Sequence, residues 1–354
     1  PILSWVSAYN TLLPGRERFP FGENPQQAYN LSLFDLEAMF AAHELAAPKA
    51  EDEYRVILLG DSSTWGTLLR PEQTLAGQLD DRLSQADCAG KQVRVYNLGY
   101  PTLSLTKDLM VLDRALDFEP DLVVWLVTLE SFPQDVQTGS PIVANNAERV
   151  RRLSERYDLN LSVPCDCPSL WEQTLIGQRR ALADWFRLQF YGVMWAATGI
   201  DQFYPPTYNP AARDLEADET FHDWSPPDMP ADGLALDVLA AGVRAVQAEG
   251  LPVIVINEPI LVSRGENSEI RYNFYYPRWA YDQYRQILDG ISRGLGWDYL
   301  DFWDLVPEAE FTNSAIHRTP AGEQMLAEEL APEIQRLVCQ EADETLEEES
   351  PSDR

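Results

Sequence analysis

The stretch Val56-Ile-Leu-Leu-Gly60-Asp61-Ser62-Ser63-Thr64-Trp65-Gly66 joins an apolar run to an abrupt Gly-Asp-Ser turn. A short apolar run closed by turn residues reads as a buried strand. A helical pattern follows at Pro71–Ser84, opening on a proline suited to a first helical position. The hydroxyl of Ser62 is therefore expected at the carboxyl end of a strand, where open α/β sheets place their chemistry.

Working outward, strand-like runs recur at Arg55–Leu59, Val93–Asn97, Leu122–Val127, Val253–Ile256 and Trp297–Leu300. Helical patterns separate them: Pro71–Ser84, Ser104–Leu116 with Ser104 as N-cap, Pro277–Arg293 and Pro320–Leu337. Alternation of this kind predicts an α/β fold, a three-layer doubly wound parallel sheet. The rhythm breaks between about 131 and 232, where helical patterns at Asn146–Tyr157 and Leu170–Thr198 precede two proline-rich runs. The reading is a long, mainly helical insertion capping the functional edge of a domain spanning 51–340. Residues 1–50 form a lead-in segment, packed on the body or serving as a linker. Residues 341–354 form an acidic, disordered tail. Within the insertion, Trp185–Trp195 is densely aromatic, and core packing is favoured over an interfacial helix.

The net charge of −30 argues against nucleic-acid or anionic-membrane partners. No apolar run approaches the roughly 20 residues that span a bilayer. The chain starts at Pro1 with no signal-peptide pattern, which reads as a trimmed end that an anchor or export signal once preceded; the expected location is extracytoplasmic. Of the four cysteines, Cys165 and Cys167 are paired in sequence while Cys88 and Cys339 stand alone. They lack the second Cys/His pair of a zinc site, and one or two disulfides are allowed in an exported protein. Neither a metal nor a cofactor is expected.

A serine needs a base within hydrogen-bond reach to become a nucleophile at neutral pH. The chain has three histidines. His43 lies in the lead-in and reads as a surface residue, and His222 in the insertion is the weaker base. His317 falls after the last strand and just before the helix start at Thr319-Pro320, in a loop that can return to the edge carrying Ser62. Glu258, after Ile256-Asn257, ends a strand at the same edge and reads as a polar turn residue, a sugar ligand or a carboxylate partner. The aromatic and arginine-rich run Arg271–Tyr281 suits sugar stacking or packing of the following helix.

Gly60-Asp61-Ser62-Ser63, Tyr96-Asn-Leu-Gly99-Tyr-Pro and His317-Arg-Thr-Pro-Ala-Gly322, taken in order, resemble the SGNH/GDSL hydrolases over about Arg55–Phe132 and Leu251–Leu337. The resemblance implies a flavodoxin-like sheet, Ser62 as nucleophile, His317 as general base, and the N–H groups of Ser62 and Gly99 as oxyanion donors. The lead-in and insertion further resemble extracytoplasmic members that accompany cell-envelope acyl transfer. Two blocks depart from the family. An Asp is usual three residues before the His, whereas here position 314 is Ser and position 313 is Asn. Asp301 and Asp304 are the other candidates for acidic support. In the third block, Val127-Thr128-Leu129-Glu130-Ser131 lacks the oxyanion-donating Asn; Thr128 is the alternative donor, and an ionised Glu130 would repel the oxyanion.

Two functions are carried forward. The first is a serine esterase or O-acyltransferase acting on acyl, chiefly acetyl, esters of an envelope glycan or a small ester, working beside a membrane acyltransferase. The alternative is a catalytically degenerate relative that binds glycan or a membrane partner.

Overall fold

Five apolar runs become five parallel strands in the computed structural model, β1 Glu53–Gly60, β2 Gln92–Gly99, β3 Leu122–Val127, β4 Val253–Asn257 and β5 Asp298–Asp301. They form one sheet in the order β2-β1-β3-β4-β5. The structure describes residues 8–13, 15–19, 21, 36–84, 90–161, 204–227, 229–230 and 232–349, with isolated positions between 174 and 194. Cys88, Cys165, Cys167, the Leu170–Thr198 helix and the Trp185–Trp195 segment lie outside these residues in whole or in most part.

The described helices are α1 Ala8–Leu12, α2 Leu36–Ala42, α3 Ser62–Trp65, α4 Leu75–Leu83, α5 Leu105–Ala115, α6 Pro141–Ala144, α7 Ala147–Tyr157, α8 Leu236–Ala248, α9 Arg278–Leu295 and α10 Pro320–Glu349. Side chains alternate across the strands with period two and so build two cores. Ile57, Leu59, Val123, Trp125 and Val255 pack with α5, α8 and α9. Val56, Leu58, Val124, Leu126 and Ile254 pack with α4 and α10 through Leu79, Leu330 and Ile334. Helices on both faces make the three-layer, doubly wound α/β fold expected.

Local sequence sets the boundaries. The Ser104 hydroxyl accepts from Lys107 N–H and caps α5, and Thr74 caps α4 by accepting from Gly77 N–H. Pro71 opens a separate short 3-10 turn at Pro71–Gln73, so α4 starts four residues later than the proline suggested. The largest difference in helix length is α10, which starts at Pro320 as expected and runs past Leu337 to Glu349. The Glu, Ala and Leu residues of that stretch are strong helix formers and simply extend the preceding helix.

The lead-in packs on the body. Phe19, Leu36, Met39 and Phe40 are fully buried in the first core. The reading of His43 as a surface residue is corrected: it is 2% exposed. Its Nε2 donates to Asn97 O (2.9 Å) while Leu45 N–H donates to its Nδ1 (3.1 Å), which fixes one neutral tautomer. Burial lowers its pKa to about 4. The capped end of a turn had looked solvent-facing because the sequence does not show that β2 lies beneath it.

Candidate active site

The carboxyl ends of the strands bring the site together. In register, Gly60 of β1 lies opposite Gly99 of β2, and Val127 of β3 opposite Asn257 of β4. The chain then turns into α3, where Asp61 serves as N-cap by accepting from Ser63 N–H (2.7 Å). Gly60 and Gly99 are there for close approach. A Cβ on Gly60 would sit 2.2 Å from Thr64 Oγ1, and one on Gly99 would sit 2.3 Å from Trp65 N. The lead-in holds this elbow from outside, with Arg18 Nη1 donating to Gly66 O (2.9 Å) and its guanidinium 4.2 Å above the Trp65 ring.

Ser62 is half-buried at the first position of α3, leaving its own N–H among the donors without an intrahelical acceptor. Its Oγ lies 2.8 Å from His317 Nε2, across 255 residues of sequence. The other ring nitrogen, Nδ1, is 3.2 Å from Asn313 Oδ1, so the amide oxygen accepts the Nδ1 proton and leaves Nε2 as the base. Thr312 Oγ1 donates to the same Asn313 oxygen (3.2 Å). His317 keeps a part-exposed edge, but most of the ring is surrounded by protein. That burial, together with the adjacent Arg318 cation, lowers its pKa to about 4. The imidazole is therefore neutral and able to accept a proton across the physiological range.

The remaining expected site residues are engaged elsewhere. The Gly99 N–H donates to Asn97 Oδ1 (3.0 Å), so in this geometry it is no free oxyanion donor; the reading is corrected to a close-packing glycine. Thr128 is fully buried with its Oγ1 2.8 Å from Tyr276 Oη. The Glu130 carboxylate accepts from His222 Nε2 (3.0 Å), and Asp135 takes His222 Nδ1 (2.9 Å). Those two carboxylates raise the His222 pKa to about 9, which makes it a cation rather than a base. Ser314 is buried. Asp301 is held by Asn257 Nδ2 (2.8 Å) and Arg285 Nη2 (2.7 Å), and the place beside His317 Nδ1 belongs to Asn313.

Glu258 belongs to none of its expected roles. It is 1% exposed, accepts a short hydrogen bond from Ser63 Oγ, and pairs with Arg318 Nη1 at 3.1 Å. Arg318 Nε also faces Glu323 Oε1 at 3.2 Å. Burial and the nearby Asp61 charge push the Glu258 pKa up. Lys107 is a second buried charge that the sequence reading missed. Its Nζ donates to Gly60 O (2.7 Å) and Tyr100 O (3.2 Å) and pairs with Asp108, tying the ends of β1 and β2 to α5. Nothing in the sequence separates Lys107 or Arg318 from an ordinary surface cation. The one signal was Glu258, a carboxylate directly after a buried strand. Among the described residues there is no cluster of His, Cys, Asp and Glu that could hold a metal ion.

The chain is thus a three-layer, doubly wound α/β protein with a neutral Ser–His pair on its carboxyl edge. The serine follows the first strand and the histidine precedes the last helix, the order that the resemblance to the SGNH/GDSL hydrolases implies. No family model and no curated protein matches it. Solved structures that do match include an inhibitor-bound aryl esterase from M. smegmatis, at 15% identity and a TM-score of 0.37. A carbohydrate acetylesterase from Sinorhizobium meliloti matches at 15% and 0.37, and a member of the lipolytic protein G-D-S-L family from Veillonella parvula at 10% and 0.38. Each match covers 80% of this chain and 99% of the other.

Proposed function

We propose that the protein is a serine esterase or O-acyltransferase that handles acetyl esters of an envelope glycan. The observation that carries this reading is the 2.8 Å contact between Ser62 Oγ and a neutral His317 whose far nitrogen is oriented by Asn313. His317 Nε2 removes the Ser62 proton as Oγ attacks the acyl carbonyl. The resulting imidazolium returns the proton to the departing alkoxide, leaving an acyl-serine. Water or a sugar hydroxyl then gives up its proton to His317 and takes the acyl group, and His317 returns that proton to the departing Ser62 Oγ. An amide oxygen orients the ring but brings no countercharge to the imidazolium, so the reaction is slower than in a site with a carboxylate.

Phe274 is 38% exposed and packs against Tyr275, which packs on the cluster that includes Phe311 and Ala315 of the His317 loop. A part-exposed aromatic pair packed on the His317 loop supports a sugar-bearing substrate. The rest of the Arg271–Tyr281 run is used in packing: Tyr272, Tyr276 and Tyr281 are buried. Cys339 is disulfide-bonded, which supports an extracytoplasmic setting, with a membrane acyltransferase as the proposed partner. Among the described residues no helix is long and apolar enough to cross a membrane. The test is acetate release from a small acetyl ester and from an acetylated glycan, by the wild type, Ser62→Ala and His317→Ala. Equal release by all three rules out the serine mechanism.

A second reading is favoured by one observation: the expected oxyanion donors at Gly99 and Thr128 are both engaged within the protein. It holds that the chain binds glycan or a membrane partner without turnover. A serine-linked acyl intermediate, trapped and located by mass spectrometry, rules it out.

A further inference from the structure

The neighbours of the two reacting residues in sequence, Ser63 and Arg318, meet on a single carboxylate. Ser63 Oγ donates to Glu258 Oε2, and Arg318 Nη1 donates to the same oxygen at 3.1 Å. Glu258 is itself fixed, since its N–H donates to Val127 O at 3.0 Å and its carboxylate lies at the end of β4. Arg318 Nη1 also donates to Ile316 O (3.2 Å), and its Nε faces the Glu323 carboxylate at 3.2 Å as an ion pair at the start of α10. All of Ser63, Glu258, Arg318 and Glu323 are buried. The α3 elbow and the His317 loop share no strand and are separated by most of the chain, so this junction is what couples their positions.

We infer that Glu258 is a positioning residue, a buried clamp that sets the distance from Ser62 Oγ to His317 Nε2 by holding the residue after each of them. The inference rests on the Ser–His reading above and deepens it. Glu258 touches neither reacting atom, so it acts through Ser63 and Arg318 alone. A misplacement of about 1 Å costs about 100-fold in rate, which is the scale such a clamp controls.

Ser63→Ala is the cleanest variant because it removes one oxygen and leaves the buried Glu258–Arg318 pair intact. Glu258→Gln keeps an acceptor for both neighbours, whereas Glu258→Ala strands a buried cation and threatens folding. We expect Ser63→Ala to lower kcat by about tenfold with KM nearly unchanged, and Glu258→Gln to stay within about threefold of wild type. The protein has only three histidines. The ¹⁵N resonances of His317 therefore report the Ser62 hydrogen bond without any turnover, and the Nε2 signal should shift in Ser63→Ala. Wild-type kcat and an unmoved Nε2 signal in Ser63→Ala overturn the clamp, as does a fall in thermal stability with kcat and the signal unchanged. A Glu258→Gln enzyme as impaired as Ser62→Ala overturns it too, since a positioning role survives the isosteric amide. If the wild type hydrolyses no ester, the esterase reading fails on its own, and the His317 signal still decides the clamp.

Discussion

His317 and His222 each hydrogen-bond through both ring nitrogens, yet they finish at opposite ends of the imidazole range. His317 lies between a serine and an amide, deep in protein and beside Arg318, with a pKa lowered to about 4. His222 lies between Glu130 and Asp135 with a pKa raised to about 9. The first is a proton acceptor at neutral pH and the second a cation. The contrast shows that a histidine with two carboxylates is not a better base. It is already protonated, and its use is to fasten the 204–227 segment to the end of β3. The acidic support missing from the Ser–His pair is present in the molecule, at the wrong histidine.

The largest effect follows directly. Ser62→Ala or His317→Ala should lower ester turnover by about 10³–10⁶, while His222→Gln should leave it within about threefold. Acetate release measured on all three variants breaks the comparison if His222→Gln is as damaging as the other two. Next comes Asn313→Asp, which places a carboxylate 3.2 Å from His317 Nδ1. Since replacing a triad Asp by Asn costs about 10⁴ in turnover, the reverse change should raise kcat by about 10²–10⁴. It should also move the acid limb of kcat/KM upward from about pH 4, because a neighbouring negative charge favours the imidazolium. An unchanged rate and limb would show that Asn313 does not face the ring in solution.

The sheet and the two reacting residues were legible in the sequence for a physical reason. A buried parallel strand must be apolar throughout, so Val56–Leu59, Leu122–Val127 and Val253–Ile256 stand out, and Gly60-Asp61-Ser62 marks where one ends. Ser62 and His317 could be paired because the fold brings a loop after β5 back to the end of β1. What the sequence hid are contacts between distant polar residues. Glu258, Arg318 and Ser63 form one junction, yet each reads locally as a turn, surface or cap residue. The Gly99 N–H was expected in an oxyanion hole, but the side chain two residues earlier takes it. His43 looked exposed for the same reason: its partner, Asn97 O, is on another strand.

The two low-pKa histidines also sharpen the comparison through stability. The His43 pKa rises from about 4 in the folded chain to its ordinary value of 6.5 on unfolding, so the unfolded state binds the extra proton between those values. Its contribution is present above pH 6.5 and lost as pH falls toward 4, by up to about 3 kcal/mol. Asp108 and Glu44, with pKa values raised to about 6 and about 7, push the other way over part of this range. The informative quantity is therefore the difference between wild type and His43→Gln in urea unfolding from pH 7 to pH 4. Wild type should lose ground to the variant as the pH falls. A difference independent of pH would place a charged imidazole under the lead-in.

His222 predicts the smallest effect and the opposite sign. Its folded pKa lies above the unfolded one, so its contribution is full below pH 6.5 and disappears as pH rises through about 9. The Asp135 arm is weakened by solvent, since that side chain is 66% exposed, while Glu130 is 21% exposed and does most of the holding. Screening reduces the net value to about 1 kcal/mol. The melting temperature of wild type should exceed that of His222→Gln at pH 6, and the gap should close by pH 10 and shrink in high salt. Because Glu130 lies two residues after Thr128, just past the end of β3, opening this latch frees a carboxylate near the Ser–His edge. The alkaline loss of stability should then coincide with a decline in kcat of no more than about threefold, which His222→Gln shows already at pH 6. A gap in melting temperature that persists to pH 10 would mean that His222 steadies the segment from within, by packing on Phe221 and Trp224, rather than fastening it by charge.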